Sequence, residues 1–350
     1  MIRKKKKEKR IEKICHFEQS EKSHNVRKIA YYFLFICLIF SCKKEVHKNT
    51  ILEGSIFGTY YRVTYDSNIN YQKQLDSLFY VINKSMSTYL ANSDISKLNR
   101  NEWVIIDEHF KKVFNTSKKI FHETNGAFDP TIGAVVNAWD FGPEGKIINL
   151  DSLIIDSLMH SVGLNKVMII ESKIAKQPNT FIDFNAIAKG YAVDVVSEFL
   201  QSKNAKNHLV DIGGELRASG VNIEKNSDWK VGVENPNFDG TQSINRAIFL
   251  KDKAMATSGT YRKFKVDENG NRYAHIIDTK TGYPSKTNLL SISVIAENCM
   301  IADAYATAFK AMGIEKVKTF LKAHQELKVF LIFENENKEF ESLALNGFPE

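Results

Sequence analysis

His275 sits in the run Tyr273–Pro284, YAHIIDTKTGYP, where two isoleucines separate it from Asp278 and a glycine and a proline follow. An imidazole of ordinary pKa is the side chain best suited to moving protons near neutral pH, although a histidine in a strand is more often structural. Asp303 and Thr307 stand four residues apart in a stretch with helical spacing, so they share one face. A carboxylate and a hydroxyl placed that way are hard oxygen donors of the kind Mg2+ takes beside water and phosphate. On spacing alone, an aspartate that caps or solvates a helix is the commoner outcome. In Asp183–Gly190, DFNAIAKG, an acidic residue and Lys189 flank a helix start, where free N–H groups and the helix dipole favour anions. Asp183 equally suits an N-cap, and Lys189 a solvated surface. Aromatic rings able to stack on a planar ligand, or simply to pack in a core, occur at Phe57 beside Gly58, at Tyr89, and at Phe128 in Gly126–Thr131, with Trp139 close behind. Stacking rings, an anion-friendly helix start, two oxygen donors and a histidine suit a nucleotide-like ligand. They do not identify the nucleotide.

Those side chains need elements to hold them. Ser55–Tyr65 alternates and is rich in β-branched and aromatic residues, which predicts a strand. Leu75, Leu78, Phe79 and Ile82 have helical spacing, and Phe110–Asn125 predicts a second amphipathic helix stopped by Gly126. Gly126–Gly142 mixes turn formers with aromatics and reads as a loop packed on something flat. After Thr180 a strand end leads into a helix whose apolar stripe is Ile187, Tyr191, Val195 and Phe199. His208–Ile212 is a predicted strand ended by Gly213-Gly214, and Leu290–Ala296 another. Thr257-Ser258-Gly259 reads as a small-residue turn that lets backbone N–H groups approach an anion. Ile301–Met312 is an Ala-rich helix closed by Gly313. Strands and helices mixed without strict βαβ alternation predict an α+β fold.

Charge and leader narrow the setting. The formal net charge is +7, and residues 1–41 carry all of it, with eleven Lys/Arg against four Asp/Glu. The remainder is neutral, so no basic patch suggests nucleic acid. Ile29–Phe40 is a short apolar run after a basic segment, too short to span a bilayer comfortably and suited to a signal-peptide core. It ends in LIFSC, which resembles a relaxed bacterial lipobox with Cys42 as the acylated residue. The expected organisation is a signal peptide over 1–41, a lipid anchor and tether over 42–52, and one domain over 53–350. The expected location is outside the cell membrane, lipid-anchored and facing the periplasm. With Cys15 and Cys37 in the leader, Cys299 alone remains in the domain, which leaves no internal disulfide and disfavours a cysteine-based zinc site.

The ordered set of motifs resembles the ApbE family, the FAD:protein FMN transferases. The residues that carry the resemblance are FGT (Phe57–Thr59), MSTYLANSDISKLN (Met86–Asn99), GAFDPTIGAVVNAWDFG (Gly126–Gly142) and DFNAIAKGYAVD (Asp183–Asp194). LVDIGGEL (Leu209–Leu216), ATSGTYRKF, HIIDTKTGYP and ADAYAT (Ala302–Thr307) continue it. The resemblance implies a single T-fold-like catalytic domain with a mixed β-sheet core and packed helices. It implies that FAD is bound with Mg2+ and that FMN passes through a phosphoester to a Thr or Ser hydroxyl of an exported or membrane flavoprotein, such as an Rnf- or Nqr-type subunit, while AMP leaves. By the family pattern His275 is the general base, and Asp303, Thr307 and the Ala186 carbonyl bind the metal. Phe57, Tyr89, Ala127, Phe128, Asp129, Asp183, Lys189, His275 and Ile277 line the FAD site. Two departures stand out: Phe57 replaces the family's usual Met, and Thr279 replaces the proline of HIIDP. The same motifs also suit an FAD pyrophosphatase, in which water replaces the acceptor, or a non-catalytic FAD-carrying lipoprotein.

Overall fold

The computed structural model describes residues 48–261, 264–266 and 272–349; the leader, Cys42 and most of the 42–52 tether lie outside the described residues. Its strands are β1 (Thr50–Ile56), β2 (Thr59–Tyr65), β3 (Met168–Ile170), β4 (Lys173–Ala175), β5 (His208–Ile212), β6 (Glu215–Ser219), β7 (Trp229–Glu234), β8 (Ile244–Leu250), β9 (Ala254–Gly259), β10 (Phe264–Val266), β11 (Arg272–Ala274), β12 (Leu289–Ala296), β13 (Lys328–Glu334) and β14 (Phe340–Leu345). Its helices are α1 (Gln72–Met86), α2 (Asp94–Asn99), α3 (Glu108–Glu123), α4 (Gly133–Ala138), α5 (Ser152–Met159), α6 (Ala188–Ser202), α7 (Cys299–Met312) and α8 (Ile314–Leu321). The fold is α+β. Among the described residues no helix is long and apolar enough to cross a membrane.

Eight strands form one sheet in the order β1-β2-β5-β6-β9-β12-β13-β14, antiparallel at every pairing. Every residue of β12 is buried, because both faces of the sheet are covered there. On one face lie α6 and α7, with α1 and α3 stacked outside them, in a core that includes Val63, Phe79, Phe110, Phe184, Val210 and Phe309. On the other the β7–β8 hairpin supplies Trp229, Val231 and Ile248 against Leu216, Met255, Ile295 and Phe330 of the sheet.

Four sequence expectations change. Ser55–Tyr65 is a hairpin and not one strand: Phe57 and Gly58 both take positive φ, 52° and 74°, and Ile56 pairs with Thr59. That is a two-residue turn of the primed kind favoured between twisted strands. A phenylalanine is a poor left-handed residue, so the alternation hid the turn. Thr257-Ser258-Gly259 is no turn but the end of β9, paired with Ser293, Ile292 and Ser291 of β12. Its small side chains serve close packing: a Cβ on Gly259 would lie 2.3 Å from the Tyr261 ring. Gly126–Gly142 contains α4, whose Val135 packs with Val162 and Ile277 in a small core of its own. The predicted stripe on α6 is only partly right: Ile187 and Tyr191 are buried, Val195 and Phe199 are half-buried, and Val193, Val196 and Leu200, outside the stripe, are fully buried. This helix lies between the sheet and other helices and hides most of its circumference.

Lys310 of α7 is 1% exposed, with Nζ 3.2 Å from the Thr287 hydroxyl. Burial lowers its pKa to about 8, below the unfolded value of 10.5. The unfolded chain therefore binds more protons between those values, and stability rises with pH across that window. Lys310→Met, a change of similar volume, is expected to stabilise the protein at pH 7 by about 2–3 kcal/mol. The gap should close as pH rises from about 8 to about 10.5. Denaturant melts of both proteins across that range check it, and a gap independent of pH would refute it.

Candidate functional site

The site is organised where the N-terminal ends of α6 and α7 meet. Gly190, the third residue of α6, has no space for a side chain: a Cβ would lie 2.3 Å from the Cys299 carbonyl oxygen and 2.8 Å from the Asp303 Cβ. Its N–H donates to Asp303 Oδ2 at 3.0 Å. In return Asp194 of α6 accepts the N–H groups of Cys299 at 2.9 Å and Met300 at 2.8 Å, in the first turn of α7. Each helix caps the other with a buried carboxylate, at the end where unpaired N–H groups and the dipole favour negative charge. Asp194 also accepts from Arg217 at 2.7 Å. Burial nevertheless pushes the Asp194 carboxyl above its usual range, against the lowering by Arg217 and the two N–H groups.

Asp303 lies in a harsher place. It is 5% exposed, and its carboxyl is pushed up to about 7, first by burial and then by the negative charge of Glu215, against lowering by Lys189 and the Gly190 N–H. Thr307, one turn on, has its hydroxyl 3.2 Å from that of Ser258 on β9. Ala186 lies just before α6. The Gly190 N–H that would reach its carbonyl in a regular helix goes to Asp303 instead, and among the described residues nothing donates to it. A half-charged buried carboxyl, a hydroxyl on the same helix face and an unclaimed carbonyl are hard oxygen donors that fit a cation such as Mg2+. Among the described residues, three or more His, Cys, Asp or Glu do not gather as a metal cluster.

Lys189 extends from the first turn of α6 to Glu215, with Nζ 2.7 Å from Oε1. Glu215 is placed by the Gly213-Gly214 turn, where φ is 64° and 97° and the Gly214 N–H donates to Asp211 Oδ1. It begins β6 at the point where β6 and β9 part, since only Leu216–Met255 and Arg217–Ala254 pair between them. Glu215 is 4% exposed, and its buried Oε2 has no hydrogen-bond partner among the described residues. Nothing in the GGEL motif marks this glutamate for a role. The only available signal was a charged residue directly after a glycine pair.

His275 follows β11 on a hairpin braced by aromatic rings. Its ring meets Phe141 edge-on at 6.2 Å, Phe141 meets Tyr273 at 6.0 Å, and Trp139 meets both Tyr273 and Tyr283 at 5.9 Å. Trp139 Nε1 donates to the Gly282 carbonyl at 2.8 Å. Trp139 is half-buried and Tyr283 is exposed, so the brace lies at the protein's surface. Asp278 shapes the turn: its carboxylate accepts from the Lys280 N–H and its carbonyl from that of Gly282, both at 2.8 Å. The Thr279 hydroxyl donates to the Gly126 carbonyl, tying the hairpin to the Gly126–Thr131 segment. Ile277 is 5% exposed in the small core with Val135 and Val162, so its side chain is committed to packing and its backbone bridges Pro284.

The remaining sequence candidates divide by what is left available. Asp129 is buried, and its carboxylate takes the N–H and hydroxyl of Thr131 at 2.9 and 2.6 Å and the Leu164 N–H at 3.3 Å. Phe128 is a core residue, so Ala127–Asp129 can offer a ligand mainly backbone. Asp183 does not cap α6, which starts five residues later. Its carboxylate holds the Asn185 N–H at 2.7 Å. Tyr89 is 59% exposed, and desolvation, then the charge of the Asp183 carboxylate, raise its hydroxyl pKa above the usual range. Phe57 is half-buried at the β1–β2 turn, edge-on to Phe79 at 5.8 Å.

Comparison with known proteins yields a consistent set. The model of the ApbE family matches residues 57–331. FAD:protein FMN transferase of Haemophilus influenzae is 34% identical over 85% of this chain and 90% of its own length, and that of Vibrio cholerae 33% over 89% and 96%. Among solved structures, flavin transferase ApbE from Vibrio cholerae is similar with a TM-score of 0.76 at 32% identity, covering 85% of this chain and 97% of that one. The apo form of flavinyl transferase ApbE from Pseudomonas stutzeri gives a TM-score of 0.76 at 26% identity, covering 85% and 94%.

Asp303 gives the first test of the site. Its folded pKa lies above the ordinary 3.8, so the folded state binds more protons through that window and stability falls as pH rises from about 4 to about 7. Without divalent cations at pH 8, Asp303→Asn is expected to be more stable than wild type by on the order of 1–3 kcal/mol, because the amide oxygen still accepts the Gly190 N–H. The advantage should shrink as pH falls below about 7. An equal or lower melting temperature at pH 8 would contradict it.

Proposed function

The chain belongs to the ApbE family, and we propose that it is an FAD:protein FMN transferase that joins FMN through a phosphoester to a Thr or Ser hydroxyl of a partner protein and releases AMP. The observation that carries this reading is the buried Asp303 carboxyl, raised to about 7 beside Lys189 and Thr307, in a chain whose relatives bear that name over most of their length. A buried carboxylate beside a hydroxyl suits a cation site.

In this reading Asp303, Thr307 and the Ala186 carbonyl hold Mg2+, and when bound the ion neutralises charge on the pyrophosphate. Phe57, Tyr89, the Ala127–Asp129 backbone, Asp183, Lys189 and the Ile277 backbone line the FAD site. Lys189 offers positive charge to the phosphates near the start of α6. His275 takes the proton from the acceptor hydroxyl, whose oxygen forms the new bond to the FMN phosphorus. The bond from that phosphorus to the bridging oxygen breaks, and AMP departs with the electron pair. Catalysis of such a displacement is mainly positioning and electrostatics. The aromatic brace supplies the positioning by holding the imidazole on a fixed hairpin. We also propose the domain plan read from sequence: export by residues 1–41, lipidation at Cys42 with a tether to residue 52, and a catalytic domain over 53–350. That domain would face the periplasm, where exported or membrane flavoproteins such as Rnf- or Nqr-type subunits are the acceptors.

The deciding experiment incubates the protein with FAD, Mg2+ and a flavin-accepting domain from the same genome and weighs the acceptor. The expected product is acceptor plus covalent FMN. FMN and AMP accumulating with no adduct would replace this reading with a pyrophosphatase, and tight FAD binding without turnover would replace it with a carrier. His275→Ala should keep FAD binding and lose transfer by on the order of 10²-fold or more; transfer at the wild-type rate would remove His275 as the base.

A further inference from the structure

One end of the large sheet is basic, and it is the end at which β1 begins. Thr50 opens β1 opposite Tyr65, Tyr65 pairs with His208, and His208 pairs with Ser219. The Gly220 N–H donates to Asp252 Oδ1 at 2.7 Å just before β9, and the Asp66 N–H to the Asn207 carbonyl at 3.0 Å. Segments 48–49, 66–70, 203–207, 220–228 and 251–253 therefore gather at this end. They hold six exposed lysines: Lys48, Lys203, Lys206, Lys225, Lys251 and Lys253. Their four carboxylates are already engaged. Asp66 accepts from the Asn207 amide, Glu224 from the Asn49 N–H, Asp252 from Gly220, and Asp228 lies 3.8 Å from Lys251. Among the described residues the other five lysines form no ion pair. In a chain that is neutral beyond its leader, that is a local concentration of available positive charge.

We infer that this end of the sheet lies against an anionic phospholipid surface, with its lysines on the headgroups. The inference rests on the reading that Cys42 is acylated. From Cys42 to Lys48 is six residues, which span at most about 20 Å when fully extended. Asn49 and Thr50 are fixed to Glu224 and Ser67 of this same end. An acyl chain in the bilayer therefore keeps the lysines close to the headgroups, where anionic lipid attracts them. A tether alone leaves the domain free to turn, and the lysines select one orientation. That orientation matters for the proposed reaction. From this end β9 runs away to Ser258, whose hydroxyl lies 3.2 Å from that of Thr307. The end of β9 pairs with the start of β12, into which the His275 hairpin leads. The proposed cation site and the hairpin thus lie toward the opposite end of the sheet, turned away from the bilayer and open to an acceptor.

The test uses the full-length protein purified from membranes and placed in vesicles of phosphatidylcholine and phosphatidylglycerol that carry a headgroup-linked fluorescence quencher. A fluorophore is attached at Gln201→Cys, exposed near the end of α6, or at Lys280→Cys, exposed on the histidine hairpin. Cys299 is buried and leaves these labels specific. The label at position 201 is expected to be quenched at least about twofold more than the label at 280. The difference should vanish in phosphatidylcholine alone and in high salt, which screens the lysines. It should also vanish when Lys203→Glu, Lys206→Glu and Lys253→Glu are combined, with a melting temperature showing that this variant is folded. Equal quenching at the two positions in the anionic vesicles would overturn the inference, as would a difference that survives high salt. Should the triple variant fail to fold, the lipid and salt comparisons on the labelled proteins decide alone. The intact mass of the same sample separates the two levels of the argument. Mature protein without acyl chains on Cys42 removes the anchor reading and this inference with it. Acylated protein with equal quenching removes the orientation alone.

Discussion

Gly190 is the constraint on which the arrangement depends. Two helices whose N-terminal ends meet would ordinarily repel, since each presents unpaired N–H groups and the positive end of a dipole. Here each lends the other a carboxylate, Asp303 to Gly190 and Asp194 to Cys299 and Met300. The exchange works only at very close range. A single methyl group on Gly190 would meet the Cys299 carbonyl at 2.3 Å. Closeness is therefore set by the absence of a side chain, and the carboxylates follow from it. Their burial in turn raises Asp303 to about 7. One packing decision in α6 thus produces both the cap that joins the helices and the strained acid that a cation can relieve.

The two sides of the site are built on different principles. The acidic side is held by helix ends and by a strand pair that separates after two residue pairs, all deep in the core. The His275 side is a hairpin outside the main sheet, held by ring contacts and by the hydrogen bonds of Trp139 and Thr279. Buried helix ends give a rigid charge pattern. A hairpin fixed by edge-on aromatic contacts of about 6 Å gives a positioned imidazole. The proposed reaction benefits from that division, because its phosphates would bind the same way each time while the acceptor hydroxyl would arrive on a macromolecule.

Local patterns were legible where one face of an element was buried and the period was regular. The α3 helix and its stop at Gly126, α7 with Gly313, and the β12 strand read directly from spacing. The β1–β2 turn did not, because Phe57 takes φ of 52° for tertiary reasons and carries no turn signal. Thr257–Gly259 misled for the opposite reason: small residues that suit a turn were chosen to fit a strand beneath a close neighbour. In the site, Asp303 and Thr307 were visible as an i, i+4 pair. That Asp303 caps another helix depends on a contact across 113 residues, which no local pattern carries.

The replacement of proline by Thr279 shows how such a site absorbs a change without losing its geometry. A proline at that position would stiffen the turn through a fixed φ. Threonine gives up that stiffness and gains a hydroxyl, which donates to the Gly126 carbonyl 153 residues away. Asp278 meanwhile shapes the turn itself through the Lys280 and Gly282 N–H groups. The constraint has moved from the chain's own backbone to a bond between the histidine hairpin and the Gly126–Thr131 segment. Those are the two pieces proposed to meet at the flavin nucleotide, so the substitution couples their positions directly. A fixed backbone turn would have held each of them separately and left their spacing to packing alone.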